Sequence, residues 1–413
     1  MQLLYGTLLL KINNDEFVLF NNKLKNRILI NEDIARIIGF LFNKKGQLFW
    51  YYRFIPRCKE IINSLKENGF LVKEKNSENI FINLKSFDVE RPLTAFNIEL
   101  MNNCNLNCSH CYGSSGDNVI KNNLNYTNIC NILDELYNLN CYNVTLTGGE
   151  CTLHPEFDKI VKEILIRGFN LGIMTNGFFN KNLINILDEV DNYNFTVKVS
   201  LDGLEHTHNK IRKNNKSFIN AIKLIDNLYE RNNIKLFISS TLMKSNFLEF
   251  RELINFVKNS YPRSMHSLDV VLPTGKAKIG DKESFNIEEL NKIRKVYPEI
   301  FNISENYIKK DDLRCNGGIS QATLTASGKL KICNCACDER FFFKGNVLKD
   351  GLTYVWNNPG NNIKNYRNEK RYTETKCCGC IKKDKCNIVD CRVAALAYKG
   401  SDAYCSPITY MIS

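Results

Sequence analysis

Histidine is scarce in this chain of 413 residues: His110, His154, His206, His208 and His266 are scattered, with no pair at a metal-binding spacing. A histidine-built metal site therefore has no support. Long apolar runs are missing too. Nothing approaches the roughly 18 apolar residues needed to span a bilayer, so no membrane partner is expected. Met1 to Leu10 lacks the charged start and small-residue cleavage site of a secretory signal. Internal repeats and low-complexity tracts are absent, although Asn is abundant. Charge of one sign is not concentrated anywhere. The net charge of +12, from 56 Lys+Arg against 44 Asp+Glu, is spread along the chain. It implies only a mild preference for acidic partners, and no basic–aromatic cluster supports nucleic-acid binding.

Cysteine is what the chain has in quantity. The count is 17, an odd number. Without a signal segment this argues against a secreted disulfide scaffold and for a reducing cytoplasm with thiolates reserved for metal. Ten of the 17 lie at or beyond Cys315. Another three form Cys104-x3-Cys108-x2-Cys111, so one short loop supplies three soft ligands. Structural zinc closes with four ligands and disulfides need pairs. Three thiolates on a compact loop suit a cubane iron–sulfur cluster with one iron left open. A zinc knuckle or three unrelated buried thiols is the plainer alternative.

The triplet, with His110 as the aromatic residue before the last Cys, resembles the signature of the radical S-adenosylmethionine (SAM) superfamily. Residues 93–300 alternate strands with amphipathic helices. The strands are expected at Ala95–Leu100, Asn143–Leu146, Leu171–Met174, Thr196–Ser200, Leu236–Thr241 and Leu268–Leu272. The helices are expected at Asn128–Leu139, Glu156–Arg167, Lys181–Val190, Phe218–Tyr229 and Leu248–Tyr261. Such alternation implies α/β architecture with a parallel sheet and right-handed crossovers. Six units resemble the partial (β/α)6 barrel of the radical SAM fold, with chemistry at the C-terminal strand ends.

Later motifs extend the resemblance. Thr147-Gly148-Gly149-Glu150 is similar to the segment that binds the methionine amino group. Glycines there allow close backbone approach, and the carboxylate can take an ammonium. Cys151 and Thr152 intervene before Leu153-His154-Pro155, where the family usually has Pro sooner. Asn176 in Thr175-Asn176-Gly177 and Ser200 in Ser200-Leu201-Asp202-Gly203 resemble SAM-facing positions. Ser200 and Arg212 are assigned the carboxylate of SAM, since a guanidinium fork suits that group. Leu272-Pro273-Thr274-Gly275 is expected to line the adenine. The family chemistry implied is electron transfer into bound SAM, giving a 5′-deoxyadenosyl radical that takes hydrogen from an unactivated carbon; the protein binds, orients and excludes water. No catalytic acid, base or radical-quenching residue is evident.

Residues 310–413 hold Cys315, Gly328 and Cys333, then Cys377-x2-Cys380-x5-Cys386-x4-Cys391 and Cys405. This order resembles the SPASM extension with two auxiliary 4Fe–4S clusters, making three clusters with the first. The resemblance gives Cys377, Cys380, Cys386 and Cys405 to the outer cluster, and Cys315, Cys333 and Cys391 to the inner one. The spacing of four before Cys391 departs from the usual three. Either Cys335 or Cys337 could supply the inner cluster's fourth ligand, or the iron could stay open. Zinc remains an alternative for C-x2-C-x5-C.

Residues 1–85 read as a small α+β unit. Strands are expected at Leu3–Ile12, Glu16–Phe20 and Ile80–Leu84, with helices from Asn31 to Phe42 and from Pro56 to Glu67. The order resembles the winged-helix recognition element of ribosomal-peptide maturases, carried by Phe17–Asn22, Asn31-Glu32-Asp33-Ile34-Ala35 and Glu67-Asn68-Gly69-Phe70-Leu71. The whole then resembles a radical SAM/SPASM peptide maturase of the thioether-forming (sactisynthase) type. Its implied partners are a ribosomal precursor peptide, bound through its leader, and a reducing protein such as flavodoxin or ferredoxin. Carbon–carbon crosslinking, epimerisation and formylglycine formation are the alternatives within that class. A zinc-binding winged-helix DNA regulator is the alternative outside it.

Overall fold

A computed structural model describes residues 2–3, 7–11, 16–21, 26–41, 56–72, 91–116, 122–178, 181–190, 195–278, 282–301, 315–368 and 391–399. The expected strand Ile80–Leu84 and the thiols Cys377, Cys380, Cys386 and Cys405 lie outside the described residues.

In the N-terminal part, β2 (Thr7–Lys11), β3 (Glu16–Asn21) and β4 (Asn26–Asn31) form an antiparallel sheet in that order. The expected single strand over Leu3–Ile12 is instead two. β1 (Gln2–Leu3) pairs antiparallel with β5 (Leu71–Val72), and only β2 joins the larger sheet. β4 was not anticipated, because Asn26 and Asn31 bracket too short an apolar run. Helix α1 (Glu32–Leu41) follows with Asn31 as its cap: Ile34 N donates to Asn31 Oδ1 at 3.0 Å. Helix α2 (Pro56–Glu67) begins on a proline, whose fixed φ suits a first turn. Leu9, Phe17 and Leu19 of the sheet share one small core with Ala35, Ile38, Ile62 and Leu65 of the helices.

The central sheet contains β6 (Ala95–Met101), β7 (Asn143–Gly148), β8 (Asn170–Thr175), β9 (Phe195–Ser200), β10 (Ile234–Leu242) and β11 (Met265–Val270), parallel and in sequence order. Between them run α3 (Tyr126–Asn138), α4 (Phe157–Ile166), α5 (Lys181–Glu189), α6 (Glu205–Arg212), α7 (Ser217–Tyr229) and α8 (Phe250–Ser260). This is the expected partial barrel: β11 is an edge and never meets β6. Period-two alternation gives each strand two functions. Val197, Val199, Leu236 and Ile238 join the helix-side core, while Lys198, Ser200, Ser239 and Thr241 face a cavity.

The C-terminal segment forms strands for which no expectation was drawn from the sequence. β12 (Gln321–Leu324) adds to the same sheet, parallel to β6 with Gln321 opposite Ala95. β13 (Leu330–Lys331) turns back antiparallel to it. Four residues alternating Gln, Ala, Thr, Leu are too short to register as a strand from sequence. Helix α9 (Leu352–Asn357) is fixed to the barrel by Glu135 of α3, which accepts from Leu352 N at 2.9 Å and Thr353 N at 2.7 Å. Buried Trp356 donates to Arg91 O at 2.9 Å. One continuous core therefore includes barrel and C-terminal residues. Among the described residues, no helix is long and apolar enough to cross a membrane.

Candidate functional site

The loop carrying Cys104, Cys108 and Cys111 leaves the C-terminal end of β6, and two glycine segments hold it. A Cβ on Gly148 would stand 2.3 Å from Met101 O, and one on Gly149 would stand 2.0 Å from Asn103 O. Gly149 N donates to Met101 O at 2.7 Å, and Glu150 N to Asn103 O at 3.0 Å. The two glycines are thus required by the thiol loop itself. At the far end Gly275 has φ +61, and a Cβ there would lie 2.4 Å from Cys111 O. Lys276 N donates to Cys111 O at 3.0 Å, and its ammonium donates to Ser115 O at 2.6 Å and to Asn107 Oδ1.

The loop floors a cavity of about 490 Å³ at the C-terminal strand ends. Cys104, Cys108 and Cys111 all line it. Burial pushes the Cys104 thiol up to about 11 and raises Cys108 as well; the neighbouring thiols add to both shifts. The thiols of Cys104 and Cys108 so shifted resist ionising unless a cation stands beside them. A cluster whose irons take the thiolates fits this donor set.

Beside the thiols lies a buried charge network. Asp202, at the end of β9, meets Arg212 Nη2 at 2.5 Å and accepts from Thr241 N at 3.0 Å. Its Oδ2 is 3.6 Å from His110 Nε2. Burial raises the Asp202 carboxyl, but Arg212, His110 and His208 outweigh it, so it lies below the usual carboxylate range. Arg212 Nη1 also reaches Cys108 Sγ at 3.7 Å. Among the described residues, Arg212 Nε and His110 Nδ1 are buried without a hydrogen-bond partner. Both residues line the cavity, so its wall carries polar capacity that the protein leaves unused.

Of the sequence-derived cofactor residues, Gly148, Gly149, Asn176, Ser200 and Arg212 line this cavity. Two are corrected. The Glu150 carboxylate does not face it: Oε1 accepts from Thr152 N and Oγ1 at 3.2 and 2.7 Å, and Oε2 accepts from Asn176 N at 2.7 Å. It caps the 3-10 turn Cys151–Leu153 and sets the Asn176 loop. Pro273 is also outside the wall, which is formed by its neighbours Leu272 and Thr274. Arg212 does not offer a free fork, since Asp202 already takes one arm. Asn176 Nδ2 donates to Asn105 Oδ1 at 2.8 Å and faces Cys104 Sγ at 3.6 Å, so it steadies the thiol loop as well. Sequence reasoning did not single out Lys198 and Asp269, which stand 4.0 Å apart in the same wall. Strand alternation was the available signal.

His208 supports Asp202 from below. Its Nδ1 accepts from Asp202 N at 3.1 Å, and Nε2 meets Ser217 Oγ at 3.0 Å. Burial, with Arg212, pushes His208 down to about 3; burial alone takes His266 to about 4. Both stay neutral in the folded protein while the unfolded chain protonates below about pH 6.5. Their contribution to stability is complete above that value and is lost as pH falls toward the folded values. Urea unfolding at about pH 5.5 should show about 1 kcal/mol less stability per histidine than at about pH 7.5, with a flatter slope in His208→Gln. An unchanged slope in that variant would refute the assignment.

A second thiol group lies in the C-terminal segment. Cys315, Cys333 and Cys391 lie within electrostatic reach of one another, and burial is the first cause raising both Cys333 and Cys391 to about 11. Gly317 N donates to Cys315 Sγ and Ala394 N to Cys391 Sγ, each at 3.4 Å. The Cys391 spacing therefore does not displace it from the group. Cys335 lines the cavity between the two thiol groups. Cys141 and Cys151 are fully buried in the barrel core.

Residues 98–257 match the Radical SAM superfamily. The chain is 28% identical over 176 residues to the sporulation killing factor maturation protein SkfB of Bacillus subtilis, 42% of each chain. It thus spans under half the length of that relative. It is 22% identical over 326 residues to the antilisterial bacteriocin subtilosin biosynthesis protein AlbA of the same organism, covering 75% of this chain and 68% of AlbA. The fold is similar to that of Streptococcus suis SuiB bound to precursor peptide SuiA. The TM-score is 0.68 at 17% identity, with 98% of this chain and 99% of that one covered.

Proposed function

We propose that this chain, whose residues 98–257 match the Radical SAM superfamily, is a radical SAM enzyme that matures a ribosomally made precursor peptide, joining a peptide carbon to a cysteine sulfur. The observation carrying this reading is the cavity floored by Cys104, Cys108 and Cys111, whose wall also takes Asn334 and Cys335 from the C-terminal segment that holds the second thiol group. A cavity walled by both segments suits a substrate that must lose a hydrogen atom at one side and an electron at the other. The printed names, killing-factor maturation for SkfB, bacteriocin biosynthesis for AlbA and a bound precursor peptide for SuiB, support the substrate class.

Cys104, Cys108 and Cys111 would hold the SAM-binding cluster. Cys315, Cys333 and Cys391 would hold an inner auxiliary one, and Cys377, Cys380, Cys386 and Cys405 an outer one. When bound, these groups and SAM would supply a 5′-deoxyadenosyl radical and an electron acceptor. The chain's own residues bind and orient. Gly148 and Gly149 seat the thiol loop, Arg212 Nε and His110 Nδ1 offer unused polar capacity to SAM, and Ser200 lies on the same wall. The peptide's leader would add a strand to an open edge of the β2–β3–β4 sheet, where Leu29 of β4 is largely exposed. A flavodoxin- or ferredoxin-like protein would deliver the starting electron.

Each carbon–sulfur bond removes one C–H and one S–H, a net loss of two hydrogens. One hydrogen leaves on 5′-deoxyadenosine, the thiol proton goes to solvent, and one electron goes to the acceptor. The test is anaerobic co-expression with a cysteine-bearing peptide encoded beside the gene, followed by alkylation and mass spectrometry. Loss of about two mass units per link, with thiols that neither alkylate nor reduce, is the expected result. The same loss with free thiols would replace the thioether by a carbon–carbon link. An unchanged mass and no solvent deuterium uptake would refute peptide maturation.

A further inference from the structure

We propose that the cavity has a second layer, deeper in the barrel than the residues assigned to SAM, and that Asn334 is its substrate-binding group, donating from Nδ2 to a main-chain carbonyl of the peptide. The inference rests on the reading that the chain matures a precursor peptide. It names the contact that would hold the peptide's reacting segment.

Strand register defines the layers. Met174 of β8 lies beside Lys198 of β9, and both line the cavity. Asn176 and Ser200, two residues further along the chain from each, line it nearer the C-terminal strand ends, where Asn176 meets the thiol loop. Two residues of a strand rise about 7 Å. Met174 and Lys198 therefore stand one layer deeper, clear of the positions assigned to the cofactor. A radical formed at SAM must meet its substrate within the same cavity, which gives the deeper layer to the substrate.

Asn334 joins that layer from the C-terminal segment. It lines the cavity, and its Nδ2 reaches Met174 Sδ at 3.9 Å. The other end of the carboxamide is fixed by a chain of buried polar groups. Asn97 on β6 donates from Nδ2 to Thr323 Oγ1 on β12 at 3.2 Å. The single hydroxyl proton of Thr323 then goes to Asn334 Oδ1, at 3.0 Å. Thr323 is fully buried and Asn97 nearly so. That direction turns the amide nitrogen toward Met174 and the cavity. The main chain is held as well: Lys331 Nζ donates to Asn334 O at 3.0 Å and pairs with Glu99 Oε1 at 2.8 Å. A thioether is a weak acceptor, so the two protons on Nδ2 have no strong partner among the described residues. A donor oriented in advance suits the one acceptor that every peptide residue carries, its carbonyl oxygen.

The test uses the full chain, reconstituted anaerobically, with the cysteine-bearing precursor peptide encoded beside the gene. Modified peptide and 5′-deoxyadenosine are measured together at matched iron per chain. Their ratio reports how often the radical meets its target. Asn334→Ala is expected to lower that ratio about three- to tenfold, the loss that follows removal of one neutral hydrogen bond. Asn334→Asp keeps the bond from Thr323 but turns the donor into a charged acceptor, and should lower the ratio further. Thr323→Val, which frees the carboxamide to turn, should lower it less, and Thr323→Ser should restore it. Because Thr323 acts through Asn334, the double variant Thr323→Val/Asn334→Ala should fall no further than Asn334→Ala alone. A wild-type ratio in either Asn334 variant would overturn the assignment, as would a double variant in which the two losses multiply. A wild-type protein that leaves the peptide unmodified would instead overturn the maturation reading beneath it.

Discussion

Gly149→Ala is expected to strip iron from the barrel site and to lower SAM cleavage at least about 100-fold, the order of loss that follows a 1 Å misplacement of reacting groups. The added methyl would meet Asn103 O at 2.0 Å, Asn103 C at 2.5 Å and Asn102 O at 2.8 Å. All three are backbone atoms, so no rotamer change relieves the clash. The strand end must part from the loop and lose the bonds from Gly149 N and Glu150 N. Asn103 immediately precedes Cys104, so the displacement falls on a thiol ligand. Overpacking of this kind costs about 1–3 kcal/mol, which a core of this size survives. Iron per chain and 5′-deoxyadenosine formation should therefore fall while the circular dichroism spectrum persists. Wild-type values for both would show that the loop is not clamped in this way.

Asp202→Ala should be the most destabilising single change in the cavity wall. Asp202 and Arg212 are 1% and 6% exposed, and their charges meet at 2.5 Å. Removing the carboxylate strands a buried guanidinium and takes the acceptor from Thr241 N. Breaking one side of a buried pair costs about 3–5 kcal/mol. Asp202→Asn keeps an acceptor for Thr241 N and should cost less. The double variant Asp202→Asn/Arg212→Met should cost less than the sum of its parts, because no uncompensated charge remains. Chemical denaturation of the metal-free proteins measures all three. A cost below about 1 kcal/mol for Asp202→Ala would mean that Arg212 finds its counter-charge elsewhere.

Much of this was legible in the residues. The strand-and-helix alternation between residues 95 and 270 gave six strands and five of the crossover helices, with ends displaced by a few residues. The largest slip was in the last strand, which starts at Met265, three residues earlier than expected, because Met-His-Ser carries little apolar signal. β12 was missed because its four residues are too short to register. The bonds of Glu150 were not legible, because a carboxylate after two glycines can meet a ligand or a turn, and only the fold brings Thr152 and Asn176 to it.

The sequence by itself determined what the covalent chain keeps together. Three thiols within eight positions must share a loop, and glycines one βα unit later can sit close to it whatever else the fold does. Only the tertiary structure decided contacts between distant segments. It brought Cys391 to Cys315 and Cys333, set Cys335 in the cavity wall and turned Cys337 toward Tyr112, and paired Asp202 with Arg212 beneath His110. The physical reason is that local spacing is fixed by bond lengths and backbone preference, whereas these meetings depend on sheet order and on which face of each strand is covered.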